Sequence, residues 1–255
     1  MAFTAVACGS KPAGEKLRAI KDAGEIVIYL DPNFPPFEFH GENKEVVGVD
    51  AEIGKAIAAE LGVTAKFKEG EFDSIVMGIK GGDADIAISG LTILEERKEN
   101  VDFSDKYITS YQYLIVPKAS ELATVEDLKD NTVGVGYCYS GQWFMEDEIA
   151  DGVLKDSKTK IKECNSAADA ILELKNNRVA AIVMDEYVAK ALAAKPENAD
   201  FVAKKLAYAD GKEVAEDYGV AIPKGNPDLV AEINKVIKKL NDEGKIIQWA
   251  GEFIR

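Results

Sequence analysis

The feature that most constrains this chain is a recurring pair, a short run of consecutive apolar residues and a helical stretch stopped by glycine. Ile26-Val27-Ile28-Tyr29-Leu30 is one such run, preceded by a helical pattern over 15–23 that Gly24 closes. A strand that is apolar at every position, rather than at every second one, must be covered on both faces. That environment belongs to a parallel sheet between helices. Residues 50–61 put Ile53, Ile57, Ala58 and Leu61 on one helical face with Gly62 beyond them. A strand is expected at 64–68, a helix at 72–80 ended by Gly81-Gly82, and a buried strand at 85–89. The last carries small polar residues at its carboxyl end, where open α/β sheets receive ligands.

After 107–117, an extended aromatic and β-branched stretch, a second set of units begins. Thr124-Val125-Glu126-Asp127 is a capping signature for a helix over 124–128. Strands are expected at 132–136, 161–163 and 180–184, with helices at 141–149 and 166–176. Strands at 201–207 and 218–222 flank the polar turn Asp210-Gly211-Lys212, and helices at 229–240 and 245–253 end the chain. No low-complexity linker separates the two sets. A chain of 255 residues therefore suits two α/β lobes, the second inserted into the first. Lobe 1 takes 15–109 plus 212–255 and lobe 2 takes 110–211 with the hinge segments, whose crossings fall near 108–112 and 206–211.

The 31 basic and 45 acidic residues give a formal charge of -14, which repels phosphate backbones and anionic lipid surfaces. Nucleic-acid binding is disfavoured, while the sign chooses no ligand because solubility explains it equally well. No apolar run reaches the roughly 20 residues of a transmembrane helix. The first eight residues, Met1 to Cys8, are similar to the tail of a signal peptide at a lipoprotein processing site, followed by a polar tether to Gly14. Ala5 stands where that pattern usually has leucine, and an ordinary terminus holding a cysteine is the competing reading. The resemblance implies lipidation at Cys8 and an extracytoplasmic location, in the periplasm or on the cell membrane, with that anchor as the sole membrane contact.

Three further stretches fall in a telling order. They are Asp31-Pro32-Asn33-Phe34-Pro35-Pro36-Phe37-Glu38-Phe39, then Val47-Gly48-Val49-Asp50-Ala51-Glu52, then Ser89-Gly90-Leu91-Thr92-Ile93 with Glu96-Arg97 and Val101-Asp102-Phe103-Ser104-Asp105. Jointly they resemble the polar amino-acid type of extracellular solute-binding protein, family 3, over nearly the whole chain. The resemblance implies a two-lobed periplasmic-binding-protein-like fold, each lobe a mainly parallel sheet flanked by helices, joined by two hinge crossings. It also implies a monomer that catalyses nothing and needs no cofactor. Such a protein delivers a free amino acid to the permease of an ABC transporter.

A free amino acid presents a carboxylate and an ammonium, so its site needs an arginine fork, hydroxyl or amide donors and an anion in a dry cleft. Arg97 is the expected carboxylate clamp; its competing role is a surface pairing with Glu96 or Glu99. Thr92 offers a hydroxyl, Ser89 ends the strand, and Gly90 lets backbone approach. Ser140, Gly141 and Gln142 match the place where the family turns a helix N-terminus toward the carboxylate, and a plain N-cap serine is compatible with that. Asp185 matches the family's ammonium partner, against the alternative of capping the next helix. Asp31, Phe34 and Phe72 match positions that meet the ligand side chain, although both rings would equally serve as core, as is expected of Phe37 and Phe39. Gly136-Tyr137-Cys138-Tyr139-Ser140 departs from the pattern, being aromatic and about one residue longer than the usual glycine-rich turn. An acidic Asp31 among aromatic faces suits arginine or lysine, and glutamine is the other candidate.

Catalytic and metal chemistry lacks its usual residues. His40, the one histidine, is expected in a polar loop without ligand spacing, as a solvated residue. Gly134-Val135-Gly136 lacks the third glycine of a dinucleotide loop. Cys138 and Cys164 follow neighbouring expected strands; two separate buried thiols are preferred over a disulfide. A dehydratase-like enzyme on the same fold and a ligand-sensing ectodomain are the alternative functions.

Overall fold

Glycine punctuation decides where the first elements stop. Helix α1 (Glu15–Ala23) ends at Gly24, whose left-handed backbone (φ 70) turns its amide onto the Ile20 and Lys21 carbonyls and feeds the chain into β1 (Glu25–Leu30). The computed structural model describes residues 14–253, so Cys8 and its expected lipidation lie outside the described residues. After β1 come three small strands, β2 (Asn33–Phe34), β3 (Glu38–His40) and β4 (Val46–Val47), which form their own antiparallel sheet. Then follow α2 (Val49–Leu61), β5 (Thr64–Glu69), α3 (Ile75–Gly81), β6 (Ile86–Ala87), α4 (Glu95–Lys98) and β7 (Val101–Phe103).

The chain leaves this layer on β8 (Ile108–Pro117) and builds β9 (Thr132–Gly136), α5 (Ser140–Ala150), β10 (Lys160–Cys164), α6 (Ala167–Lys175), β11 (Ala181–Asp185), α7 (Glu186–Ala194) and β12 (Phe201–Lys205). It returns through β13 (Ala215–Tyr218) and β14 (Ala221–Pro223) to α8 (Pro227–Asp242) and α9 (Lys245–Phe253). One sheet runs β5-β1-β6-β14-β7 and the other β10-β9-β11-β8-β12, with β13 added on β8. Each has a core of three parallel strands, β5-β1-β6 and β10-β9-β11, extended by antiparallel ones. Residues Ile108 to Tyr111 of β8 pair with β13, while the rest of the strand pairs with β11 and β12. The strand paired with 108–111 is β13, and the expected return segment 206–211 meets β8 at Gln112, whose carbonyl accepts from the Leu206 amide at 2.9 Å.

Several local expectations change. The helix expected at 124–128 is a single 3-10 turn, Glu126–Leu128, because Lys129 is extended immediately after it. Its capping pair does form, with the Thr124 amide donating to Asp127 Oδ2 (2.8 Å) and the Asp127 amide to Thr124 Oγ1 (3.3 Å). The strand expected at 218–222 is two strands in different sheets; between them Gly219 donates to Leu91 O at 3.0 Å, and any Cβ there would meet Ile93 and Phe103 at 2.9 and 3.1 Å. Helix α7 was not expected, since its buried face of Val188, Ala189, Ala191 and Leu192 is mostly alanine and gives little contrast. His40 ends β3 rather than lying in a loop, and it is exposed. One apolar cluster runs from Ile28, Ile53 and Ile57 through Phe34, Phe37 and Tyr139 to Met184 and Val188, so aromatic side chains join the two layers.

Gly48 fixes how α2 starts. With φ 118 it lets the amides of Val49 and Asp50 donate to the Pro36 and Phe37 carbonyls at 3.1 and 2.9 Å. A Cβ on Gly48 would stand 2.2 Å from the Phe37 carbonyl oxygen. Gly48→Ala is expected to cost at least about 2 kcal/mol, against about 1 kcal/mol for Gly24→Ala, whose left-handed site is open. Urea midpoints at unchanged slope read the difference, and equal losses would mean that the crossing tolerates a side chain.

Candidate functional site

The floor of the cleft is a buried polar layer. Ser89 Oγ donates to Glu38 Oε1 at 2.7 Å and accepts from the Asp31 amide at 3.0 Å. The Gly90 amide donates to Asp50 Oδ2 at 2.7 Å, and the Tyr107 hydroxyl donates to the same oxygen at 3.1 Å. Gly90 is left-handed (φ 53), and the Phe34 ring lies 2.7 Å from where its Cβ would stand. Ser89 and Gly90 thus fix the loop under the cleft, with the serine side chain turned away from it. Glu38 Oε2 and Asp50 Oδ1 have no partner among the described residues, yet the two carboxyl groups are in contact. Burial first, then the Asp50 charge, pushes Glu38 well above its usual range, and burial raises Asp50 to about 6. A proton on Glu38 Oε2 donated to Asp50 Oδ1 satisfies both oxygens.

Arg97, on α4, is only 6% exposed. Its Nη1 donates to Thr92 O at 3.0 Å and its Nη2 to Cys138 O at 3.2 Å, one carbonyl from each layer. The guanidinium lies between the rings of Phe72 (5.3 Å) and Trp143 (4.9 Å). Burial lowers its pKa to about 10, opposed by Glu216 and Asp185, so it stays charged at neutral pH. Among the described residues it pairs with neither Glu96 nor Glu99.

Beside Thr92 stands an acidic group. Asp185 occupies the N-cap position of α7 but makes no capping bond; its Oδ1 accepts from Gln112 Nε2 (2.9 Å) and Ser140 Oγ (3.2 Å). The same Gln112 nitrogen donates to Glu216 Oε1 at 2.7 Å, and Thr92 Oγ1 donates to Glu216 Oε2 at 2.9 Å. Burial, then Asp185, raises Glu216 well above its usual range. Gln112, Glu216 and Trp143 escaped the sequence reading. The available signal was the polar Gln112 flanked by Tyr111 and Tyr113 inside the extended run 107–117.

Tyr139 fills the aromatic end, edge-on to both Phe34 (5.3 Å) and Phe72 (5.1 Å). Gly136 makes room for it, since a Cβ there would lie 2.4 Å from Tyr139 Cδ2. Asp31 accepts from Asn33 Nδ2 at 2.6 Å and from the Phe72 backbone, and burial raises its pKa. Gln142 holds the turn, accepting from the Cys138 amide (2.7 Å) and donating to Glu146 (2.8 Å). At Gly141 the bare Cα lets Gln112 Oε1 approach to 3.1 Å of a Cβ position. Cys138 and Cys164 are free thiols; Cys164 is buried, but Cys138 is half-buried because its left-handed turn (φ 61) lies at the cleft edge. Phe37 is buried as expected, whereas Phe39 is half-buried against Phe253. A cavity of about 570 Å³ reaches Thr92, Gln112, Ser140, Trp143 and Glu216 from solvent.

Comparison with known proteins gives the family of the chain. The profile of the bacterial extracellular solute-binding proteins, family 3, matches residues 26–254. An arginine-binding periplasmic protein of Mannheimia haemolytica is 31% identical, covering 86% of each chain. The structure of an ancestral arginine-binding protein bound to arginine superposes with a TM-score of 0.79 at 35% identity, covering 90% of this chain and 98% of that one. The ancestral amino acid-binding protein AncCDT-1, a precursor of cyclohexadienyl dehydratase, gives a TM-score of 0.81 at 29% identity, covering 94% and 100%. Other relatives are named glutamine-, histidine- and cystine-binding proteins. No helix among the described residues is long and apolar enough to cross a membrane.

The floor makes a pH prediction. Glu38 and Asp50 titrate higher in the folded chain than the ordinary carboxylate values of about 4, so the folded state holds more protons between those limits. Their contribution to stability is present below about pH 4 and lost as pH rises through the folded values. Glu38→Gln keeps a donor for Asp50 without a proton to lose. It is expected to be more stable than wild type at about pH 8 and to flatten the decline, measured by urea unfolding from about pH 5 to 8. An unchanged decline would mean that Glu38 does not carry that proton.

Proposed function

Because the chain belongs to family 3 of the bacterial extracellular solute-binding proteins, we propose that it holds one free amino acid between its lobes and presents it to the permease of an ABC importer. The observation that carries this reading is the pairing of a buried cation with buried anions on either side of Thr92. Arg97 lies on one side, Asp185 with Glu216 on the other. That arrangement complements a zwitterion, whose carboxylate needs donors and whose ammonium needs acceptors. In this assignment Arg97 takes the carboxylate, aided by the start of α5 at Ser140 and Gly141. Thr92 and Asp185 take the ammonium, while Asp31, Phe34 and Phe72 meet the side chain. Ser89, Gly90 and Gln142 position the backbone.

The division into 15–109 plus 212–255 and 110–211 belongs to the same proposal. It is supported by β8, which pairs with β13 at one end and with β11 and β12 at the other, and by the return of β14 to the first sheet. Binding replaces contacts that the protein makes with itself. The ligand carboxylate takes the place of Cys138 O on Arg97, and its ammonium takes hydrogen bonds that Gln112 and Ser140 now give to Asp185. Such differential contacts are what close a hinge. Arginine, lysine or glutamine is the favoured cargo, supported by the acidic and aromatic side-chain end and by the names of the relatives. Anchoring through Cys8, an extracytoplasmic location and a monomeric state complete the reading.

Chemistry on the ligand is the second reading, favoured by a buried acid pair in the cleft and by the neighbour named as a dehydratase precursor. We infer binding without turnover, in keeping with relatives named for binding. Mass spectrometry of what denatured protein releases, and of amino acids incubated with it, distinguishes the two. A converted amino acid would overturn the inference.

Arg97→Ala is expected to abolish amino-acid binding in calorimetry while circular dichroism stays native; near-normal affinity would sink the carboxylate role. Tyr139→Ala is expected to tighten arginine or glutamine binding about tenfold or more, some 1.4 kcal/mol, because the long side chain no longer has to displace a ring from between Phe34 and Phe72. An unchanged or weaker Kd would show that Tyr139 contributes to the ligand contact instead.

A further inference from the structure

Glu216 is a buried acid on the return strand beside Asp185, and the proposed assignment gives it no atom of the ligand. One amide nitrogen, Gln112 Nε2, has two hydrogens to give and faces three acceptors, Glu216 Oε1 (2.7 Å), Asp185 Oδ1 (2.9 Å) and Ser140 Oγ (3.1 Å). The other end of that amide, Gln112 Oε1, is buried without a partner among the described residues. The neighbouring cation, Arg97, directs its Nη1 and Nη2 hydrogen bonds to the Thr92 and Cys138 carbonyls rather than to either carboxylate. Two carboxylates therefore converge in a dry place with less positive charge than they need. The cavity that touches Thr92, Gln112, Ser140 and Glu216 gives a solute a route to them.

We propose that Glu216 is a second acidic partner for the ammonium of the bound amino acid, and that the arriving cation replaces a proton held on Glu216 beside Asp185. This rests on the reading of Asp185 as the ammonium partner and extends it to the return strand. An ammonium has three N–H donors, and Asp185, Glu216 and the Thr92 hydroxyl offer three oxygens within one hydrogen-bonded group. No covalent bond changes. The ligand arrives as R–NH3+, the proton leaves Glu216 for the buffer, and Glu216 becomes a carboxylate beside Asp185 against the new cation.

The groups that set this titration come from every element around Glu216. Asp185 comes from β11, Arg97 from α4 and Tyr218 from β13 itself, while Cys138 faces Arg97 from the turn before α5. Glu96, Lys98 and Asp147 line the outer cavity. Asp217 is engaged by Lys106 at 3.0 Å. Burial of Glu216 and its contact with Asp185 favour the protonated form, in the direction the proposal needs.

Calorimetry with L-arginine and L-glutamine, repeated in buffers of different ionisation enthalpy from about pH 5 to 8, counts the protons released on binding. Wild type is expected to release up to about one proton per ligand and to bind up to about tenfold more tightly per pH unit over that range. Glu216→Gln is expected to lose both the release and the slope, and Glu216→Asp to restore them. A merely structural Glu216 would weaken binding equally at every pH without altering the proton count. Wild-type binding with no proton release, or the same release from Glu216→Gln, overturns this inference while leaving the amino-acid reading intact. Wild-type protein that binds no free amino acid overturns both.

Discussion

The arrangement of the cleft depends on where one buried positive charge is satisfied. A guanidinium taken out of water loses several kcal/mol of hydration unless its hydrogens are met. At Arg97 two of them are met by main-chain carbonyls, Thr92 O from the first layer and Cys138 O from the second, with Phe72 and Trp143 covering the faces. Cys138 reaches that position only because its backbone is left-handed (φ 61) and because Gln142 holds its amide. The unusual turn before α5 is thereby tied to the electrostatics of a helix in the other layer.

Gln112 performs the complementary task for negative charge. It stands in β8 where the pairing partner changes from β13 to β11 and β12, so one residue borders both halves of the molecule. Its amide joins Asp185, which ends β11, to Glu216, which lies in β13. Any rotation of one layer against the other must alter that joint hydrogen bonding. In the proposed binding mode, ligand charge and lobe geometry would be coupled through this short set of polar contacts, with no need for a long relay.

Much of this was legible in the sequence, for identifiable reasons. Helices stopped by glycine were placed to within a residue or two, because Gly24 and Gly62 take left-handed conformations that a helix end requires. The buried run 132–136 coincides with β9. What failed was anything decided by partners far along the chain. The stretch 218–222 is apolar throughout but changes sheets at Gly219, and α7 hides in alanines. Among candidate residues, motif order brought Thr92, Arg97, Ser140 and Asp185 together, while no local pattern marks Glu216, whose meaning comes from Gln112 at a separation of 104 residues. Ser89 and Gly90 were singled out for a motif whose physical job here is to bind Glu38 and Asp50 beneath the cleft.

The aromatic turn also bears on selectivity. A cleft whose donors and acceptors are already bonded to one another can admit only a solute that replaces those bonds with better ones, so affinity is a difference between two well-satisfied arrangements. A carboxylate is a stronger acceptor for Arg97 than the Cys138 carbonyl, and an ammonium is a stronger donor for Asp185 than the Gln112 amide. A neutral solute gains neither advantage. The backbone half of the site thus favours zwitterions over other small molecules, whatever the side chain. The side-chain half is governed by a separate competition, in which a ligand must match the edge-on packing that Tyr139 makes with Phe34 and Phe72. In the proposed assignment a guanidinium would do so through cation–π contact with both rings with Asp31 as its counter-charge, whereas an aliphatic side chain offers dispersion alone. On the proposed assignment, the class of ligand and the choice within that class are consequently set by different ends of one cleft.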